Sequence, residues 1–96
     1  MKPSFALEKN REAVRAAVSR FRATNPRVFG SALRGDDREA SDIDILVEAL
    51  PGATLFDLGG LQVELEEILG VRVDLLTPGE PSRHFRVRVL AEAAPI

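Results

Sequence analysis

Two aspartates separated by one residue open an apolar run near the middle of the chain, Ser41-Asp42-Ile43-Asp44-Ile45-Leu46-Val47. β-Branched residues in this alternation are typical of a β-strand. Because side chains alternate between the two faces of a strand, we expect Asp42 and Asp44 on one face and the isoleucines in a core. Their Cα atoms would lie about 7 Å apart. Two carboxylates at that spacing can converge on Mg²⁺, which prefers such oxygen ligands.

A second feature lies upstream, where the predicted strand Arg27 to Gly30 ends in Gly30-Ser31, ten residues before Ser41. A strand that runs into a short helical turn presents unpaired backbone amides, which favour a phosphate. Glycine allows phosphate oxygens to approach without a Cβ in the way. Gly-Ser is also common in ordinary turns, so the interpretation as a phosphate site depends on the carboxylates that follow. Arg34 could neutralise phosphate charge or be a surface arginine.

Asp74 repeats the pattern of an aspartate flanked by core residues, in Val73-Asp74-Leu75-Leu76 on a third predicted strand. A carboxylate in such surroundings costs free energy unless it is paired or binds a metal. Three aspartates close together would repel one another, and a divalent cation would offset that repulsion. A phosphate site beside three carboxylates suits two-metal phosphoryl or nucleotidyl transfer. Asp42 and Asp44 would then bridge two ions, and Asp74 would hold the ion that activates the incoming hydroxyl.

The remaining sequence predicts helices around these strands. A first helix runs from Ser4, as its N-cap, to Ala23, and Asn25-Pro26 stops it. A second begins at Thr54 and ends at Gly70, with Asp57 completing a short capping box. Gly59-Gly60 either permits close backbone approach or marks a frayed start. Strand 71–76 follows.

The last segment is ambiguous, because the apolar residues from Phe85 to Ala93 fit either a strand or a helix. Periodicity alone leaves both open.

The composition limits the classes of function that fit this chain. Its 96 residues make one small domain, 1–96, with a single core. The net charge of −2 gives no general attraction to nucleic acid, so we expect no direct binding to it. Cysteine is absent, which excludes thiolate sites, and no run is long enough to span a bilayer. We therefore expect a soluble, cytoplasmic protein.

The combined pattern resembles the polymerase-beta-like nucleotidyltransferase superfamily, and the short chain resembles its minimal nucleotidyltransferase (MNT) branch. The residues that carry the resemblance are Gly30-Ser31-Ala32-Leu33-Arg34-Gly35 and, ten residues on, Ser41-Asp42-Ile43-Asp44-Ile45-Leu46-Val47. Leu33 departs from the family, which often has a small residue there. The resemblance implies an α/β (α+β) fold, with helices packed on a small mixed sheet, and a helix over Arg86–Ala93.

The same resemblance implies Mg²⁺, with two ions expected, and ATP as substrate. Members of the branch commonly pair with a HEPN-domain toxin, and some antitoxins transfer AMP to a tyrosine of that toxin. This chain contains no tyrosine, so a phenol acceptor would belong to another molecule. Without tryptophan, adenine would rest on aliphatic side chains or a phenylalanine such as Phe56.

Three hypotheses follow. The first is an adenylyltransferase acting on a partner protein as an antitoxin. The second is a non-catalytic module that neutralises a partner by contact. The third, a calcium loop built from Asp36, Asp37, Glu39, Asp42 and Asp44, lacks the spacing and closing glutamate of an EF-hand.

Overall fold

The computed structural model describes residues 1–39, 41–78 and 91–96. Within these residues the chain alternates helices and strands, and none of the helices is long and apolar enough to cross a membrane. The elements in chain order are α1 (Pro3–Lys9), α2 (Arg11–Arg20), β1 (Ala23–Phe29), α3 (Ser31–Arg34), β2 (Ile43–Ala49), α4 (Leu55–Leu69), β3 (Val73–Leu76) and β4 (Ala94–Pro95).

The strands form one mixed sheet in the order β3-β2-β1-β4. β1 pairs antiparallel with both β2 and β4, whereas β2 and β3 are parallel. A parallel pair needs a long crossover, and α4 supplies it. The mixed sheet with packed helices confirms the α/β fold class expected from the sequence.

The two faces of the sheet are used differently. In β2, Ile43, Ile45 and Val47 are fully buried in the core shared with the helices, as the alternation predicted. The residues between them, Asp44 and Leu46, turn to the other face. There a smaller apolar cluster forms from Phe29 and Leu46. One face of β2 therefore supplies packing and the other supplies a carboxylate.

The prediction of a single first helix was wrong. The chain breaks at Asn10, which has φ −122° and ψ 21°, and its side-chain amide donates to the Ala6 carbonyl at 2.8 Å. An asparagine that bonds a carbonyl four residues back competes with the next helical turn. Ser4 is also not the N-cap, because α1 begins at Pro3, a favoured first position, after Lys2.

The predicted start of the first strand was late. β1 begins at Ala23 and runs through Asn25-Pro26, the pair expected to lie before it. Its register against β2 shifts between Thr24 and Arg27, and Asn25 adopts φ +54°. A bulge leaves a residue outside the ladder, which is where a strand can hold a proline that has no N–H to donate.

The signals around α4 were correct. Thr54 and Asp57 form a reciprocal capping box, and Gly70 ends the helix in the left-handed conformation with φ +70°. The strand predicted at 71–76 is shorter, Val73–Leu76, and β4 was not foreseen. The helix expected over Arg86–Ala93 lies, as far as residue 90, outside the described residues.

The structure also resolves the question of the two glycines in α4. A Cβ on Gly60 would lie 2.7 Å from the Phe21 ring, so Gly60 permits a close approach between α4 and Phe21 at the end of α2.

We expect Gly60→Ala to lower the free energy of unfolding by about 1–3 kcal/mol, because the Phe21 ring must move. Urea denaturation would measure this. In a double-mutant cycle, Gly60→Ala should lower the free energy of unfolding less in the Phe21→Leu variant than in wild type. An equal loss in both would refute the clash with the ring.

Candidate functional site

Asp44 and Asp74 form the centre of the candidate site. They are direct register partners on the parallel strands β2 and β3, and their side chains share a hydrogen bond. Burial, which is the largest cause, the Asp74 charge, that hydrogen bond and the Asp42 charge together raise the pKa of Asp44 to about 6. A divalent cation bound at this pair would offset the repulsion that contributes to the raised pKa of Asp44.

The desolvation cost that the sequence predicted for Asp74 falls on Asp44. Asp74 is exposed, because β3 is the edge strand and Val73 and Leu75 face the core side. Asp44 is the half-buried member of the pair, since β2 is covered by strands on both sides. The unfavourable burial thus falls on Asp44.

Gly30 packs directly against Asp44. Phe29 is the register partner of Asp44, and the chain turns at Gly30 with φ +74° and ψ −151°, a conformation that is essentially restricted to glycine. A Cβ at this position would lie 2.3 Å from Asp44 Oδ2. Only glycine therefore lets the backbone before α3 approach the carboxylate.

Ser31 and Arg34 lie on α3, immediately beyond Gly30. Ser31 is half-buried, and its hydroxyl makes no hydrogen bond to any described residue. Arg34 is exposed and pairs with Asp36 at 3.4 Å. Its charge also lowers the pKa of Asp44, although less than the other influences raise it. A cation within electrostatic reach of Asp44 favours the binding interpretation of Arg34 over that of an unrelated surface arginine.

The donor chemistry of the site fits Mg²⁺, because every candidate ligand is a carboxylate oxygen. Asp42 is exposed and acts on Asp44 through its charge. Across residues 1–39, 41–78 and 91–96, however, no three His, Cys, Asp or Glu side chains are close enough to form a preformed metal cluster. Asp44 and Asp74 therefore form a pair, which Asp42 influences through its charge.

Asp37 has a structural role that the sequence did not reveal. Its side chain is 3% exposed and accepts hydrogen bonds from the Ser4 amide at 2.8 Å and the Ser4 hydroxyl at 2.9 Å. Burial raises the pKa of Asp37, but the bonds from Ser4 and the Lys2 charge outweigh it, so the pKa is lowered. Asp37 ties the loop after α3 to the first turn of α1. It is therefore not oriented for a calcium loop with Asp42 and Asp44.

Glu66 makes a second contact that no feature of the sequence predicted. Its carboxylate on α4 accepts a hydrogen bond from the Val73 amide at 3.1 Å, next to Asp74. The Ile43 amide donates to the Arg72 carbonyl at 2.9 Å, so Arg72 faces β2 and the next residue, Val73, directs its amide to the opposite side of β3. We expect Glu66→Ala to cost about 1–2 kcal/mol of stability, measured by urea denaturation. Glu66→Gln keeps an acceptor and should stay near wild type; equal losses in both would exclude this bond as the cause.

Comparison with known proteins agrees with this geometry. The model of the nucleotidyltransferase domain family matches residues 8–96. MJ0435 of Methanocaldococcus jannaschii, a proposed protein adenylyltransferase, is 46% identical over 72% of this chain and 74% of its own length. The protein adenylyltransferase MntA of Thermococcus cleftensis is 44% identical over 76% of this chain and 74% of its own length.

Solved structures share the fold. A proposed minimal nucleotidyltransferase superposes with a TM-score of 0.88 and 43% identity, covering 100% of this chain and 97% of that one. A toxin–antitoxin structure with AMP-PNP has a TM-score of 0.75 at 23% identity, covering 90% of this chain and 71% of that one. With the carboxylate pair beside Gly30 and the match along residues 8–96, this chain belongs to the nucleotidyltransferase domain family.

Proposed function

We propose that this nucleotidyltransferase transfers AMP from ATP to a hydroxyl of a partner protein in a Mg²⁺-dependent reaction. The observation that carries the proposal is the pairing of Asp44 with Asp74 on neighbouring strands, directly beside the Gly30 turn. The relatives named as protein adenylyltransferases support AMP as the transferred group. We propose a cytoplasmic location, where ATP is available.

The acidic residues would hold the metal. In this proposal Asp42, Asp44 and Asp74 are the ligands, with two ions expected. Bound Mg²⁺ would neutralise charge on the phosphates and lower the pKa of the attacking hydroxyl. The positive charge of the ion would offset the repulsion from Asp74 and Asp42 that, together with burial, raises the pKa of Asp44.

The remaining residues would bind the triphosphate and move the proton. Backbone amides at Gly30 and Ser31, with the Ser31 hydroxyl, would hold the β and γ phosphates, and Arg34 would neutralise charge on the departing pyrophosphate. The acceptor oxygen forms a bond to the α phosphorus as the bond to the β phosphate oxygen breaks. Asp74, the exposed member of the pair, would accept the hydroxyl proton.

The acceptor lies on another molecule if it is a tyrosine, because this chain has none. The similar fold of a toxin–antitoxin structure with AMP-PNP supports a toxin as that molecule. We propose a HEPN-type toxin as the partner, with AMP transfer as the antitoxin action.

The proposal is tested with α-labelled ATP, Mg²⁺ and the protein that co-purifies with this chain. We expect label on the partner with wild type and none with Asp42→Asn. Glu67→Gln removes one charge from an exposed position on α4 and should leave labelling unchanged. Neutralisation of the partner that survives Asp42→Asn without any labelling would support contact alone and refute transfer as the mechanism.

A further inference from the structure

α3 carries two of the residues proposed to bind the triphosphate, Ser31 and Arg34, yet it is only four residues long. A helix of about one turn is not stable in water on its own. α3 also lies between two glycines with positive φ, Gly30 at +74° and Gly35 at +79°, and glycine gives the backbone unusual freedom. The orientation of α3 beside Asp44 must therefore be set by contacts with other parts of the fold.

One of these contacts is in the core. Ala32 is buried in the same apolar cluster as Ala6 and Leu7, so that α3 lies against α1, and Leu33 packs at the edge of that cluster. Apolar contact is non-directional. This packing therefore holds α3 close to α1 but does little by itself to fix the direction in which its polar residues point.

The second contact is directional, and it comes from Asp37, two residues after Gly35. One carboxylate oxygen of Asp37 accepts from the Ser4 amide at 2.8 Å, and the other accepts from the Ser4 hydroxyl at 2.9 Å. Because each bond prefers a narrow range of angles, the two together fix the orientation of the carboxylate as well as its position. Asp37 thus fixes the segment of chain that leaves α3.

The first turn of α1 is suited to hold this carboxylate. The N-cap of α1, Lys2, makes no side-chain capping bond to any described residue, and the first amides of a helix have no partner within the helix. Asp37 accepts from one of these amides, at the end of the helix that carries partial positive charge. A cap usually comes from a residue next to the helix in sequence, but this one comes from 33 residues away. Capping of α1 and placement of α3 therefore depend on the same bonds.

We infer that Asp37 is a positioning residue for nucleotide binding, because its bonds to Ser4 hold α3 in the orientation that the triphosphate requires. This inference rests on the proposed function for the identity of the ligand. Asp37 would itself touch neither nucleotide nor metal, since its side chain is buried against α1. Its effect would reach the phosphates through Ser31 and Arg34.

Hydrogen exchange measured by NMR tests this placement without any ligand. The Arg34 and Asp36 amides donate to carbonyls at the start of α3, at 3.2 and 3.1 Å. Asp37→Ala should speed their exchange about 10-fold or more relative to the amides of β2, on which a general loss of stability would also act. Asp37→Asn should stay near wild type, because its oxygen can accept from the Ser4 amide while its NH₂ group donates to the Ser4 hydroxyl. Unchanged exchange in Asp37→Ala would overturn the inference.

Binding of the ATP analogue AMP-PNP with Mg²⁺, measured by calorimetry, is the second test. Asp37→Ala should raise the Kd about 10-fold, because a small displacement of α3 misplaces the phosphate contacts, and Asp37→Asn should restore it. Gly60→Ala is the control, since it lowers stability at the contact between α4 and Phe21 and should leave the Kd unchanged. In the labelling assay the KM for ATP should rise with the Kd while kcat changes less, because Asp37 makes no bond to the strands that carry the carboxylate pair.

Ser4→Ala gives a milder version of the same test, should Asp37→Ala fold poorly. It removes only the hydroxyl bond, so the Kd should rise about 3-fold, and the double variant should be no weaker than Asp37→Ala alone. A folded Asp37→Ala with the wild-type Kd, or an Asp37→Asn as weak as Asp37→Ala, would overturn the inference. A wild type that binds AMP-PNP but transfers no AMP would refute the proposed reaction, whereas a rise in Kd for Asp37→Ala would still support the positioning role.

Discussion

Asp44→Asn should reduce AMP transfer by at least about 10³-fold while making the metal-free protein more stable at neutral pH. The loss of activity is expected because the half-buried carboxylate between Asp42 and Asp74 is the central proposed ligand. The gain in stability is expected because that carboxylate is held in surroundings that oppose its ionisation. One substitution should therefore move activity and stability in opposite directions.

The pH dependence of the gain follows from the pKa of Asp44, which is about 6 in the folded protein against a usual value of 3.8. Between these values the folded state holds a proton that the unfolded state has released. Wild-type stability from this group consequently falls as pH rises from about 4 to about 6, and stays low above that. Discounted for the half-exposed position of Asp44, the penalty at pH 7 is about 1–2 kcal/mol.

Thermal unfolding in a chelator, from pH 4 to pH 8, would measure this difference. The melting temperatures of wild type and Asp44→Asn should diverge as pH rises, with the variant higher. Added Mg²⁺ with nucleotide should raise the wild-type value and narrow the gap, because a ligand stabilises the state that binds it. Glu67→Gln should follow wild type throughout. A difference in melting temperature between wild type and Asp44→Asn that stays constant from pH 4 to pH 8 would exclude ionisation of Asp44 as its cause.

Among the glycines that the structure describes, Gly30 should be the one at which a change to alanine is most damaging. It forces a side chain into a backbone conformation that is essentially restricted to glycine and directs that Cβ to 2.3 Å from Asp44 Oδ2. We expect a loss of about 2–4 kcal/mol in the free energy of unfolding. AMP transfer should fall by at least about 10²-fold even where the variant is folded, since the proposed phosphate and metal sites would both be displaced.

Gly35→Ala provides the comparison. Gly35 also has a positive φ, +79°, and lies at the other end of α3, but a Cβ there would meet nothing within 4 Å. That variant should lose only about 1 kcal/mol, the usual cost of a left-handed residue, and keep most of its activity. Urea denaturation and the labelling assay would be run on both. Equal effects at the two positions would show that backbone strain, and not the contact with Asp44, is responsible.

The local signals in the sequence predicted what local physics controls. The alternation along β2 assigned Ile43 to the core and Asp44 to the opposite face, and the capping residues Thr54 and Gly70 bounded α4 correctly. The turn at Gly30 and the short helix after it were also foreseen. In each case the deciding interaction lies within a few residues of the signal.

Contacts between distant segments were not predictable in this way. Asp37 looks like its neighbour Asp36 in the sequence, yet one is buried against Ser4 and the other is exposed beside Arg34. The break at Asn10, the bulge in β1 and the bond from Glu66 to the Val73 amide likewise depend on what packs nearby. The exposure of Asp74 follows from β3 being at the edge of the sheet, which no pattern within β3 encodes.

The division of β2 into a packing face and a carboxylate face limits how this strand can change. A single inserted residue would slip the register, turning Ile45 and Val47 toward the solvent side and Asp44 toward hydrocarbon. The same insertion would then disrupt both the core and the candidate site. Between Asp37, which is held by Ser4, and the start of β2, by contrast, length can vary at little cost because no alternation has to be kept. In related proteins that keep the function, we therefore expect insertions before Asp42. Within β2 we expect substitutions and no insertions.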